Sequence, residues 1–254
     1  MKKIAPLIFF IVFLIFWEAA IQIFKITPYV LPSPVEVLKT SSEYKGELFR
    51  ASYNSGLIAI VGFLISLIAG SIIAFIMSQS KIIENSLYPY AIFLQSVPIV
   101  AIAAIFILWF GAGTPSMILI SFIISLFPII TAVSTGLTRI DNQLLELMKF
   151  YQATKWQIMF KVRIPSAIPN LITGAKTSAG LAVVGAIVGE YFTGLSGESR
   201  GLAYLIQSNQ QNANYPYLFA SSICAALVGW VIFTAVSICG NFILKRAHFD
   251  RKSL

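Results

Sequence analysis

Long apolar stretches alternate with short polar ones along this chain. They occupy about residues 4–26, 54–77, 87–110, 116–137, 171–192 and 217–244, and each is close to the roughly 20 residues that a membrane-crossing helix requires. The pattern predicts an all-α membrane protein with about six transmembrane helices. The first run follows Met1-Lys2-Lys3 as a secretory leader would. However, Trp17-Glu18-Ala19-Ala20 lacks the small-x-small cleavage pattern and the run continues for a full bilayer width, so a retained anchor is expected.

Polar segments divide these runs. Pro28, Pro32 and Pro34 followed by Val35-Glu36-Val37-Leu38-Lys39 predict a turn into a short surface helix between residues 27 and 53. Gly111-Ala112-Gly113-Thr114-Pro115 reads as a tight turn, and residues 138–170 and 193–216 as longer loops. The expected organisation is a first helix with an extracytoplasmic segment over 1–53, a core of five spans over 54–244, and a basic tail over 245–254.

Composition narrows the class. Of the 254 residues, 57% are hydrophobic and 11% charged, against about 25% charged in an ordinary soluble domain. Six spans leave no room for a soluble catalytic domain. The net charge of +8 reports orientation rather than a nucleic-acid partner. With the amino terminus in the cytoplasm, that side holds twelve basic residues: Lys2, Lys3, Lys81, Arg139, Lys149, Lys155, Lys161, Arg163, Lys245, Arg246, Arg251 and Lys252. The opposite side holds five, Lys25, Lys39, Lys45, Arg50 and Arg200, so both termini are expected in the cytoplasm. Lys176 sits near a span boundary and is left out of this comparison. Cys224 and Cys239 lie too far apart on one helix to bridge and read as small apolar core residues, and with His248 the only histidine a metal centre is not expected.

The 138–170 loop is too polar to cross a bilayer and too apolar to float free. Thr138 with Asp141, and Thr154 with Gln157, match the capping box that opens a helix, while Pro165 is expected to end the second helix. Two short helices meeting near Gln152–Thr154 are predicted. Leu144, Leu147, Met148 and Tyr151 recur at helical spacing on the first, and Trp156, Met159, Phe160 and Arg163 on the second. One apolar face can rest on the membrane bundle; the surplus apolar and charged surface points to a protein partner.

This loop is similar to the cytoplasmic signature of the membrane subunits of binding-protein-dependent ATP-binding-cassette importers: Glu-Ala-Ala, three residues, Gly, nine residues, Ile-x-Leu-Pro. Here the same spacing carries Glu146-Leu147-Met148, Gln152 and Val162-Arg163-Ile164-Pro165, with Gln152 in place of the glycine that would permit a sharp turn at positive φ. Leu31-Pro32-Ser33-Pro34, Gln95-Ser96-Val97-Pro98, Leu108-Trp109-Phe110-Gly111 and Gly189-Glu190 extend the likeness to permeases of the nitrate, sulfonate, taurine and thiamine-precursor group.

The resemblance implies a type I importer permease fold in the bacterial inner membrane. Two copies would form the pathway, and each loop would sit in a groove on an ATP-hydrolysing partner. Glu146, Lys149, Gln152, Ala153, Trp156 and Pro165 would be the coupling residues. An extracytoplasmic solute-binding protein would deliver a small polar solute. No cofactor is expected on this chain, and ATP would belong to the partner. Gly174-Ala175-Lys176-Thr177-Ser178 is not a phosphate loop, because Ala175 stands where glycine is required before the lysine.

Within the spans, Gln95 and Ser96 lie between Pro89 and Pro98, where a broken helix can line a cavity; they are pathway candidates. Glu190 near a span end reads either as an interfacial side chain or as a pathway group. With Glu18, it would serve as an ion site in the rival reading, a transporter or channel driven by an ion gradient.

Overall fold

The structure is a computed structural model that describes residues 5–193 and 200–246. Lys2, Lys3, residues 194–199 of the polar loop, and the tail with His248, Arg251 and Lys252 lie outside the described residues.

The apolar runs are helical, and the breaks fall where backbone chemistry demands them. The first helix, α1 (Ala5–Phe24), ends at Lys25, whose φ of 49° lets the Ile26 N–H reach the Ile21 carbonyl at 3.1 Å. The expected surface helix follows as α2 (Pro34–Glu43). Ser33 Oγ accepts from the Glu36 N–H and the Glu36 carboxylate accepts from the Ser33 N–H, completing a capping box with Pro34 in the first turn. Helix α3 (Lys45–Met77) begins nine residues before its apolar run, because Leu48 and Ala51 are already buried with Val37, Leu202, Leu205, Tyr217 and Ala220.

The stretch 87–110, expected as one span, is two helices. Helices α4 (Lys81–Gln95) and α5 (Ile99–Phe110) meet at 97°. Pro98 offers no N–H to continue the ladder, and the amides of Ser96 and Val97 fall back on the carbonyls of Phe93 and Leu94 three residues earlier. Among the described residues, helix α6 (Thr114–Thr138), a 39-residue rod over Lys155–Thr193 and α11 (Tyr215–Arg246) join α3 as the four helices long and apolar enough to cross a membrane. The bent pair is apolar enough for a fifth crossing if its two halves form one span, and α1 is a shorter apolar helix. Against the six-span expectation, the described residues give four long apolar helices, one bent pair and a shorter apolar helix.

The rod comprises α8 (Lys155–Ile158), a π-turn (Met159–Arg163) and α9 (Ile164–Thr193). Its α9 part packs with α3 and α6 at the centre of the bundle through small residues. A Cβ at Gly185 would lie 2.7 Å from Ser121 Cα, and one at Gly174 would lie 2.6 Å from the Ala132 methyl, so these backbones touch. Such close approach is how membrane helices gain contact when lipid is as apolar as their side chains. Buried hydroxyls join the same helices: Ser66 Oγ and Ser125 Oγ are 2.6 Å apart, and Ser121 Oγ donates to the Ala182 carbonyl at 2.8 Å.

The loop 193–216 contains a further helix, α10 (Leu202–Gln211), with Leu202, Ala203, Leu205 and Asn209 buried. Ten residues with one polar face leave too weak a pattern to announce it. Cys224 is half-buried; Cys239 is exposed, against its expected place in the core, and both are free thiols.

Candidate functional site

The loop after α6 forms an elbow. Its first helix, α7 (Asn142–Phe150), opens at Asp141, whose carboxylate accepts from the Gln143 N–H at 2.9 Å. Thr138 does not share in that cap. It is the last residue of α6, and its Oγ1 donates to the Ser134 carbonyl at 2.9 Å, the four-residue back-bond open to a helical threonine.

At the far end of α7 the Ala153 N–H bonds Met148 O at 3.0 Å and the Gln152 N–H bonds Lys149 O at 2.9 Å. This is a Schellman close with Gln152 in the left-handed position at φ 49°. The backbone thus keeps the glycine geometry without the glycine, at a steric cost of about 1 kcal/mol. Gln152→Gly is expected to tighten the turn by that amount, about a fivefold drop in its opening equilibrium. Amide exchange at Ala153 would show it; faster exchange would contradict it.

Thr154 and Gln157 make the predicted capping box: the Thr154 N–H donates to Gln157 Oε1 at 2.8 Å and the Gln157 N–H to Thr154 Oγ1 at 3.3 Å. Pro165, expected to end this helix, does not. The π-turn just before it carries the Ile164 N–H five residues back to Met159 O, and the wider turn absorbs the proline. Lys155 to Thr193 is therefore one rod.

The elbow is held on one side and open on the other. Met159 is buried among Ala74, Ile129, Val133, Leu137 and Ala167, and Arg163 Nη1 donates to the Ser78 carbonyl at the end of α3, 3.3 Å away. Facing away, Phe150 is 81% exposed, Tyr151 71%, Trp156 63% and Phe160 59%. The Trp156 and Phe160 rings stack with centroids 5.9 Å apart. Glu146, Lys149 and Gln152 are exposed beside them, and Ala153 and Pro165 are half-buried. No residue of α7 is buried.

The three residues expected in a pathway do not gather. Gln95 and Ser96 are exposed at the α4–α5 bend, where a cavity of about 190 Å³ is lined by Gln95, Val97, Ile102, Phe127, Pro128 and Leu181. Leu181 is nine residues from Glu190, about 13 Å along α9. Glu190 is fully buried at the other end of the rod from the elbow. Its Oε2 accepts from Ser55 Oγ at 2.9 Å and from the Ala203 N–H at 3.2 Å, while Ser55 Oγ accepts from the Leu202 N–H at 2.9 Å.

Gly201 rests directly on the carboxyl group and leaves no room for a Cβ. The carboxyl group thus serves as a cap from outside the chain segment for the first turn of α10, taking up one of its free N–H groups. Of the two readings of Glu190, this burial departs from the interfacial one. Sequence reading could not find the cap, since Ser55 lies 135 positions away.

The family described as "Binding-protein-dependent transport system inner membrane component" matches residues 62–248. The formylaminopyrimidine transport permease protein ThiX of Halalkalibacterium halodurans is 29% identical over 244 residues, 96% of each chain. The putative aliphatic sulfonates transport permease protein SsuC of Bacillus subtilis is 32% identical over 231 residues, 90% of this chain and 82% of that one. The riboflavin transport system permease protein RibX of Chloroflexus aurantiacus is 28% identical over 91% of this chain and 86% of that one. A solved structure described as the crystal structure of an amino acid ABC transporter with histidines shares the fold, with a TM-score of 0.63 at 18% identity over 82% of this chain and 97% of that one. With its apolar helices and its match over residues 62–248, the chain belongs to the family of inner-membrane permeases of binding-protein-dependent ABC importers, as a multi-pass transporter subunit.

Proposed function

We propose that two copies of this chain form the translocation pathway of an ATP-driven importer, with both termini and the elbow in the cytoplasm. Each elbow sits in a groove on a separate ATPase subunit, which binds and hydrolyses the ATP, and an extracytoplasmic binding protein delivers the solute at the Glu190 end. The solute is a small polar molecule of the sulfonate, nitrate, taurine or pyrimidine class; ThiX, SsuC and RibX are named for different solutes and support the size class rather than one compound.

The observation that carries this reading is the aromatic face of the elbow, exposed on a segment that is anchored to the bundle through Met159 and Arg163. Apolar anchors at helical spacing are what a groove on another protein accepts. The excess of basic residues at the elbow end supports its cytoplasmic placement. Closure of the ATPases would rock the bundles between outward and inward access.

The test is reconstitution of the chain in vesicles with its binding protein, with and without the ATPase. Uptake is expected only with the ATPase and ATP present. Uptake by the chain alone, driven by an ion gradient, would replace this reading with the gradient-driven one.

A further inference from the structure

The apolar run 171–192 carries two charged residues, Lys176 and Glu190. Glu190 accepts hydrogen bonds inside the protein through Oε2, while its Oε1 is buried without a partner; Lys176 is charged and lacks a counter-charge among the described residues. Its Nζ donates to the Asn241 side-chain oxygen on α11 at 3.2 Å, and among the described residues no carboxylate pairs with it. Along α9 it stands between the two ends of the bundle. Ala167 packs on Gly136 in the last turn of α6, and Glu190 marks the opposite end. Lys176 lies nine residues from the first, about 13 Å, and fourteen from the second, about 21 Å. An ammonium at such depth is costly in hydrocarbon and marks a cavity, a path or a partner.

Its surroundings are open. Helical spacing places Thr173, Lys176, Thr177, Gly180 and Val184 along one side of α9, away from the buried Ser178 and Ala182. Thr173 and Thr177 are exposed, and a Cβ added at Gly180 would meet nothing within 4 Å. On one flank stands Asn241; on the other is Leu181, which lines the cavity at the α4–α5 bend with Gln95. Lys176 has two further N–H donors and the Asn241 amide nitrogen two more, so the pair presents donors and a positive charge with no negative group to answer it.

The geometry points to an anion station in the pathway: Lys176, supported by Asn241, holds the negative group of a small organic anion, a sulfonate or carboxylate, passing along the open side of α9. This rests on the two-copy pathway proposed above, and it selects the charge of the solute. The Gly-Ala-Lys-Thr-Ser segment, which is not a nucleotide loop, thereby acquires a role.

The test labels the site without knowing the solute. Thr177→Cys is placed in a background with Cys224→Ala and Cys239→Ala, and the full complex with its ATPase is held in lipid nanodiscs. Modification rates are measured with anionic sulfonatoethyl and cationic trimethylammonioethyl methanethiosulfonate, each divided by its rate with a free thiol in solution. The anionic reagent is expected to be favoured about tenfold, the local concentrating effect of a fixed charge. Lys176→Met should abolish the preference and Lys176→Arg should keep it, with Lys176→Gln serving where the Met variant does not assemble. A ratio unchanged by loss of the lysine charge would overturn the anion station and leave the pathway standing. Failure of both reagents to react, with or without ATP, would put this side of α9 against lipid or packed protein and overturn the pathway reading as well.

Discussion

A permease carrying Trp156→Ala and Phe160→Ala together is expected to reach the membrane in normal amount and to lose nearly all ATP-driven uptake. Both rings are more than half exposed and stack on each other rather than on the bundle. Their removal therefore leaves the buried Met159 contact and the Arg163–Ser78 bond intact. On the partner side they are the largest anchors the elbow offers. Truncating a central aromatic at a protein interface typically costs about 2 kcal/mol or more, a factor of roughly 30 in affinity. Pull-down of the ATPase by the purified permease measures the loss, with thermal unfolding of the isolated permease as the control. Full retention of the ATPase would show that the elbow is not its dock. Charge reversal at Glu146 should act in the same direction with a smaller effect, because an exposed rim charge contributes little on its own.

The second large effect is expected at the opposite end of the rod. Glu190→Ala strips the acceptor from the Ala203 N–H and from Ser55 Oγ and leaves a void where the carboxyl group lay. A buried donor left without a partner costs about 1–3 kcal/mol, and the void adds to it, so a loss of about 3 kcal/mol is expected. Gly201→Ala should destabilise by a similar route, since its new methyl must displace the same carboxyl group. The two changes should not add: with Glu190 already truncated, the methyl at residue 201 finds space, and the double variant should be no less stable than Glu190→Ala alone. Thermal unfolding of the detergent-purified variants decides this. Simple addition would mean that Gly201 matters for a reason unrelated to the carboxylate.

What the amino-acid pattern revealed was what local chemistry determines. The Thr154–Gln157 cap needs only residues three apart, and its two hydrogen bonds were foreseeable from them. The amphipathic spacing from Leu144 to Phe160 likewise depends on helix geometry alone. The reading failed where a distant or backbone-level partner overrode a local rule. Pro165 should stop a helix, but a π-turn supplies the room it needs. Hydropathy sees 87–110 as one run, because averaging hides the donor missing at Pro98. Gln152 looked like a departure from the pattern, yet the hydrogen bonds of Ala153 and Gln152 impose the left-handed turn regardless of the side chain. Glu190 and Lys176 were ambiguous for a third reason: their surroundings come from Ser55, Ala203 and Asn241 on other helices, and no pattern along one strand of sequence contains that information.

The π-turn over Met159–Arg163 also decides how force enters the bundle. Such a turn holds one surplus residue, so the side chains ahead of it are swung by about 100° around the axis from where an uninterrupted α-helix would aim them. The direction of the Trp156 indole is consequently set by a surplus residue in the backbone together with its stacking on Phe160. A load applied there acts off the axis of a 39-residue shaft. It delivers torque as well as thrust, and the far end of that shaft, where Gly189 rests on Met117 and Glu190 on Gly201, would feel a rotation before it felt a displacement.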